Sequence, residues 1–325
     1  MPNFLPDLPQ DRTMRTLYVR EIINSRCENY SFGETSMAFL PYFYISEIAH
    51  DLIIDQIVST DMSGHGLSRE DSNVLKHMLQ TKAVRSFAIY LYCGMSWDAL
   101  VELLKAIKHS DDALPLITRP TDMSVEYFER FKKDQYLFLA PLFFEGRFDL
   151  ELNEKTPIPI SFSEEDCLGT GAEGQVYEAT IDPDHAKIPD LIEPFALKKI
   201  TREGTALHEM AVLGILATSP VAAHPHVAKV HAGFTFDGNS YVIAEKVYCD
   251  LDKFMRKNRE GAQSDLTREW FLHQLRGLAN AFATIHTAVP GYRVHHGDLR
   301  IDSILVRERN SRDARSYVYT LVIND

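Results

Sequence analysis

Apolar residues recur at helical spacing through much of the first half of the chain and give way to two-residue alternation in the second. Ser68 opens an apolar-periodic stretch that reaches Leu91, and Ser96 is followed by Leu100, Leu103, Leu104 and Ile107 on one helical face. Ser68 stands where a hydroxyl can accept from the unpaired amides of a first helical turn. A further helix is expected from Ser124 to Phe138, and the stretches Ser63 to Gly66 and Pro115 to Pro120 have turn composition. Residues 1–150 therefore read as a mainly α-helical N-terminal region, with no chemistry legible in it.

The sequence NEKTPIPI, Asn153 to Ile160, reads as a linker, because its prolines remove amide donors and disfavour helix in the residues before them. A second domain is expected over 161–325. Short β-type runs follow at Ser161 to Cys167, Gln175 to Thr180 and Phe195 to Ile200, then a helix from Thr205 to Ala217. Strands are expected at Val227 to Phe236 and Ser240 to Lys246, and a long helix from Thr267 to Thr287. The fold class this implies is α+β.

Composition narrows the partners. A formal net charge of -12 argues against wholesale binding to nucleic acid or to an anionic membrane surface. The most apolar run, Met37 to Val58, is interrupted by Pro41, Glu47, His50, Asp51 and Asp55, so no easy membrane span is expected. The N-terminus lacks a signal-peptide pattern, and an intracellular location, cytoplasmic or nuclear, is expected. Cys27, Cys93, Cys167 and Cys249 lie far apart and suggest neither zinc nor a disulfide framework. His65, His77, His109 and His208 have no ligand-spaced partners, and RERNSRDAR, Arg307 to Arg315, reads as a solvated hairpin loop.

The chemistry-bearing residues begin at LGTGAEGQVY, Leu168 to Tyr177, where Gly169, Gly171 and Gly174 let a tight turn bring backbone N–H groups close to phosphate oxygens. The run after Gly174 alternates as a strand, with Val176 in it, so the glycines lie in a strand-turn-strand rather than opening a helix. A glycine-rich hairpin turn without a ligand is the alternative. Phe195-Ala196-Leu197-Lys198 is an apolar strand ending in a lysine that can neutralise phosphate charge, against the alternative of a surface lysine. Glu209 opens a helical pattern with Leu213 and Leu216 and can hold Lys198 by an ion pair.

Glycine loop, lysine strand and glutamate helix, in that order, resemble the eukaryotic protein kinase family. His224-Pro225-His226-Val227 is similar to the family's H-P-N-I element, and Tyr241 to Glu245 to the strand entering the hinge. The resemblance implies a protein-kinase-like fold, with an antiparallel-sheet small lobe and the start of a helical large lobe. It implies ATP and Mg2+, with Ala244 as gatekeeper, Glu245 and Val247 offering hinge backbone to adenine, and Asp250 meeting a ribose hydroxyl. Val176, Ala196 and Leu305 would sandwich the adenine, and Leu213 and His296 would belong to an internal stack; plain core packing is the alternative for each.

His296-Gly297-Asp298-Leu299-Arg300-Ile301-Asp302-Ser303-Ile304-Leu305-Val306 resembles the family's catalytic loop. The resemblance makes Asp298 the proton-accepting carboxylate and puts Arg300 in place of the loop lysine. Gly297 stands where most members have arginine, which implies regulation without loop phosphorylation. Ser303 replaces the magnesium-binding asparagine, a shorter ligand expected to reach the ion through water. Leu321 to Asp325 resembles the approach to D-F-G, with Asp325 as the magnesium aspartate, and the expected domain is incomplete after it.

His-Gly-Asp-Leu also resembles the loop of aminoglycoside and choline kinases, but the three-glycine loop and the glutamate helix favour the protein-kinase branch. The helical N-terminal region together with H-G-D-L is similar to protein-kinase-like proteins of filamentous fungi. The expected activity is phosphoryl transfer from Mg-ATP to protein serine or threonine. The alternatives are a catalytically silent nucleotide-binding or interaction module, and a truncated fragment.

Overall fold

The structure is a computed structural model that describes residues 8–61, 68–171, 174–201, 203–259, 267–288, 294, 297, 299–308 and 319–323. The chain divides into two compact units. One comprises residues 1–142, 155–161 and 181–185, and the other 143–154, 162–180 and 186–325.

The first unit begins with helix α1 (Arg12–Arg26), capped by the Asp11 carboxylate, which accepts from the Met14 amide at 2.9 Å. A hairpin of β1 (Glu28–Phe32) and β2 (Thr35–Phe39) follows, turning at Gly33, whose φ of 61° favours glycine. The helical expectation for this stretch missed it. Then come α2 (Tyr42–Ile48), α3 (Asp51–Asp61), α4 (Arg69–Thr81), α5 (Val84–Cys93), α6 (Trp97–Ala106) and α7 (Val125–Asp134). Ser68, Ser96 and Ser124 cap their helices by accepting from the amides of Asp71, Ala99 and Tyr127.

The expected single helix from Ser68 to Leu91 is two helices, because the chain breaks at Lys82 and Ala83 and α5 acquires its own cap from Asp111. Helix α5 is buried nearly all round, with Phe87, Ile89 and Tyr90 at the centre of a core that also takes in Leu103, Phe131 and Phe138. Helix α5 ends at Gly94, where a Cβ would lie 2.5 Å from Thr16 Oγ1. The stretch around the prolines is not an exposed linker. Thr156, Ile158 and Ile160 are buried, and Pro159 O accepts from the Asp182 amide at 2.9 Å.

The second unit contains β3 (Phe143–Phe144), β4 (Leu150–Leu152), most of β5 (Ile160–Thr170) and β6 (Gly174–Ile181), then β7 (Ala186–Lys187) and β8 (Phe195–Ile200). Helix α8 (Glu203–Ala217), β9 (Val230–Phe236), β10 (Asn239–Ala244), β11 (Cys249–Asp250), α9 (Leu251–Arg259), α10 (Arg268–His286), β12 (Ile304–Glu308) and β13 (Tyr319–Ile323) complete it. Within this unit the sheet order is β5-β6-β8-β10-β9-β4. Residues 143–154 join it from the helical side of the expected boundary because β4 pairs in parallel with β9, Leu150 opposite Phe234.

Strands β6, β8 and β10 are antiparallel, and their register places Val176, Lys198 and Val242 in one cross-strand row and Glu178, Ala196 and Ala244 in the next. Side chains alternate between faces along a strand, so both rows share one face. Helix α8 packs under that face through Ala206, Met210 and Leu213 against Ile200 and Val242. A second, antiparallel sheet, β11-β12-β13, lies over α9 and α10, with Leu251, Phe254, Trp270, Leu278 and Ile285 in its core. Among the described residues no helix is long and apolar enough to cross a membrane.

Candidate functional site

Register puts the lysine of FALK where the sheet meets α8, and the structure joins it to the expected glutamate. Lys198 Nζ lies 2.8 Å from Glu209 Oε1, with the two side chains 14% and 19% exposed. Lys198 is therefore no surface lysine. Helix α8 brings Glu209 up one turn ahead of Leu213, whose burial under the sheet fixes the helix rotation.

The three glycines differ physically. At Gly174 a Cβ would lie 2.0 Å from Lys199 O, so the close approach of β6 to β8 admits only glycine. Gly171 donates its amide to Gly174 O at 2.9 Å and closes the turn between β5 and β6. At Gly169 a Cβ would meet nothing within 4 Å, and at Gly171 only Gly174 O at 4.0 Å. Packing among the described residues accounts for the third glycine and not for the first two.

Beyond β10 the chain runs through Glu245, Lys246 and half-buried Val247 to β11. Ala244, the expected gatekeeper, stands opposite Ala196 on one side and Val230 on the other. Asp250 caps α9, its Oδ1 accepting from the Lys253 amide at 2.7 Å and its Oδ2 lying 3.0 Å from Lys253 Nζ. Burial raises this carboxyl, but the Lys253 amide and ammonium outweigh it and hold Asp250 below the usual carboxylate range. Leu305, on β12, stands directly opposite Asp250.

In the loop before β12, the Ser303 hydroxyl accepts from the Arg300 amide and donates to Arg300 O, both at 2.9 Å. Arg300 is exposed, with Nε 3.5 Å from Asp302 Oδ1. His296, Asp298 and Asp325 lie outside the described residues. Among the described residues no group of three or more histidine, cysteine or acidic side chains is placed to hold a metal.

Strand β13, which leads toward Asp325, is stitched to the His224–Val227 segment. Ile323 donates its amide to His226 O at 2.9 Å, and Ala228 donates to Ile323 O at 2.8 Å. The His226 ring donates from Nδ1 to Leu321 O at 2.7 Å. Burial pushes its imidazole below the ordinary histidine range against the opposing pull of that carbonyl. Gly277 of α10 makes room for this ring, since a Cβ there would lie 2.0 Å from His226 Nε2.

Arg307 corrects the expectation of a solvated loop from Arg307 to Arg315 at the start of that stretch. It belongs to β12, its side chain is 15% exposed, and its guanidinium grips the Glu245 carboxylate through Nε at 2.8 Å and through one Nη. Charge patterning hid it, because RERNSRDAR reads as uniformly polar. The usable signal was the alternation of Leu305 and Arg307 on one strand, which aims both side chains to the same face. Residues 309–318 lie outside the described residues.

A model of the protein tyrosine and serine/threonine kinase family matches residues 162–313 of the chain.

Proposed function

Residues 162–313 belong to the protein kinase family and their α+β fold is kinase-like; from that premise we propose that the second unit binds ATP and that the protein transfers its γ-phosphoryl group to a serine or threonine hydroxyl of a protein. The observation that carries this reading is the half-buried Lys198–Glu209 pair at 2.8 Å, on the sheet face that also bears Val176 and Ala196. Phosphoryl transfer is mostly a matter of placing charge, and a lysine fixed by a glutamate is a placed charge. Gly169 and Gly171 support the same reading, since a phosphate approaching the backbone accounts for glycine where packing does not.

On this reading adenine lies between Val176, Ala196 and Leu305, with its edge toward the backbone of Glu245 and Val247, and Asp250 meets the ribose. Asp298 accepts the proton of the substrate hydroxyl as its oxygen attacks the γ-phosphorus and the bond to the β-phosphate oxygen breaks. Arg300 keeps positive charge near the transferred group. Asp325, with Ser303 in the place of the family's asparagine, would hold Mg2+, which supplies neutralisation of phosphate charge when bound.

Calorimetric titration of the full chain with Mg-ATP tests the site. Lys198→Met is expected to weaken binding by about tenfold or more and to abolish phosphoryl transfer. Equal affinity in the variant would remove Lys198 from the phosphate site. A second reading, nucleotide binding without transfer, is favoured by one observation: the Ser303 hydroxyl is occupied by the Arg300 backbone. It predicts ATP binding with no phosphate incorporated into any protein substrate, and sustained incorporation sinks it.

A further inference from the structure

Arg307 commits all three guanidinium nitrogens to the segment that joins β10 to β11 and to the segment that precedes β9. Nε and one Nη hold the two oxygens of the Glu245 carboxylate, the same Nη donates to Val227 O at 2.8 Å, and the other Nη donates to Pro225 O at 2.8 Å. Glu245 is bound by Lys229 as well. Its Oε1 accepts from the Lys229 amide at 2.8 Å, and its own amide donates to Lys229 O at 2.9 Å. The two charged side chains are 15% and 17% exposed, so the pair is largely withdrawn from water.

A guanidinium engaged side-on with a carboxylate fixes orientation as well as distance, because both groups are planar. Arg307 and Leu305 stand two residues apart on β12 and project from the same face. The strand that carries Leu305 is thus tied to Glu245, the first residue after β10. A second tie lies nearby, where Tyr248 donates its amide to Val306 O at 2.9 Å.

We propose that Arg307 is a positioning residue for the nucleotide: by gripping Glu245 it sets the distance between the adenine-facing backbone at Glu245 to Val247 and the apolar floor at Leu305. This inference rests on the nucleotide-binding reading above. Arg307 itself touches no nucleotide. Its effect reaches the base through the backbone that it holds.

The test compares the full chain with Arg307→Lys and Glu245→Gln, each of which keeps most of the volume and breaks the side-on pair. Both are expected to raise the Kd of adenosine and of Mg-ATP by the same factor, about tenfold, since a displaced binding surface loses affinity steeply. Hydrogen exchange at the amides of Lys246 and Val247 is expected to accelerate in the variants without any ligand. The loss is expected to multiply with that of Lys198→Met, because base and phosphate are held by different elements. A general loosening of the unit would instead make the two losses overlap.

Unchanged adenosine affinity in folded Arg307→Lys overturns the inference and leaves the nucleotide site standing. Wild-type chain that binds neither adenosine nor Mg-ATP overturns the nucleotide reading, and the inference with it. Should Arg307→Lys fail to fold, Glu245→Gln carries the same comparison from the other partner.

Discussion

The two units bury polar groups in different ways. In the helical unit Asp111, Gln135 and His185 turn mainly to the backbone. The Asp111 carboxylate takes the amides of Arg85 and Ser86 at 2.7 and 3.0 Å, Gln135 exchanges bonds with the amide and carbonyl of Leu116, and the His185 ring spans Pro141 O and the Tyr42 amide. The second unit uses the same device at Gln274, Trp270 and His226, but it also holds charges against each other at Lys198–Glu209 and Arg307–Glu245. A backbone bond satisfies a group that has to be satisfied. A half-buried ion pair gains little over packed apolar side chains, so what accounts for it is the use made of the charge.

That contrast can be broken by exchanging the expected outcomes. Glu209→Gln keeps a hydrogen-bonding group beside Lys198, so its stability cost is about 1 kcal/mol or less. Its effect on Mg-ATP affinity and phosphoryl transfer is expected to be the largest of this set, about tenfold to a hundredfold. Asp111→Ala should do the opposite. It strands the amides of Arg85 and Ser86 at the start of α5 and is expected to cost about 2 kcal/mol, read as a lower urea midpoint, with no change in nucleotide affinity. If Asp111→Ala shifted affinity and Glu209→Gln shifted only stability, the division of labour drawn from burial would be wrong.

Much of this organisation was legible in the sequence, and the failures have physical causes. The Ser68 cap was read correctly because a cap is a local rule, one hydroxyl and an amide a few residues away. The Lys198–Glu209 pair was legible through family order, although neither residue's own neighbourhood distinguishes it from a surface charge. The β1–β2 hairpin was missed although Gly33 offered the turn, because helical periodicity on both sides dominated the reading. Arg307 was missed for a deeper reason. Its partners lie 62 to 82 positions away, at Glu245, Val227 and Pro225, and no local pattern encodes such a contact.

The glycine loop sharpens the comparison inside one element. Gly174→Ala drives a Cβ into Lys199 O, so it is expected to destabilise the unit by about 1–3 kcal/mol. Gly169→Ala meets nothing and restricts the unfolded chain, so stability is expected to hold or to rise by about 0.4–1 kcal/mol. Its Mg-ATP affinity should nonetheless fall, since a methyl group would stand between backbone and phosphate. Thermal melts paired with titrations separate the two. Gly169→Ala with unchanged affinity would return this stretch to a plain hairpin turn.

The last effect belongs to the helical unit and concerns pH. Asp182 is 4% exposed, with Oδ1 accepting from the Asp184 amide at 2.9 Å. Burial, helped by the nearby charges of Glu28 and Asp184 and opposed by that amide, pushes its carboxyl up to about 6 from an ordinary 3.8. The folded chain therefore holds this proton more tightly than the unfolded chain. Between these two values the folded state still binds the proton while the unfolded state has released it, so this group's contribution to stability falls as pH rises from about 4 to 6 and is level above. Asp182→Asn removes the ionisation and retains an oxygen for the Asp184 amide. At pH 7.5 the variant is expected to be more stable than wild type by about 1–2 kcal/mol, and at pH 4 the advantage should vanish. Urea midpoints measured across this range decide it. Parallel curves for the two proteins would mean that the carboxyl is ionised in the folded unit at ordinary pH and that Asp182 serves as a backbone acceptor.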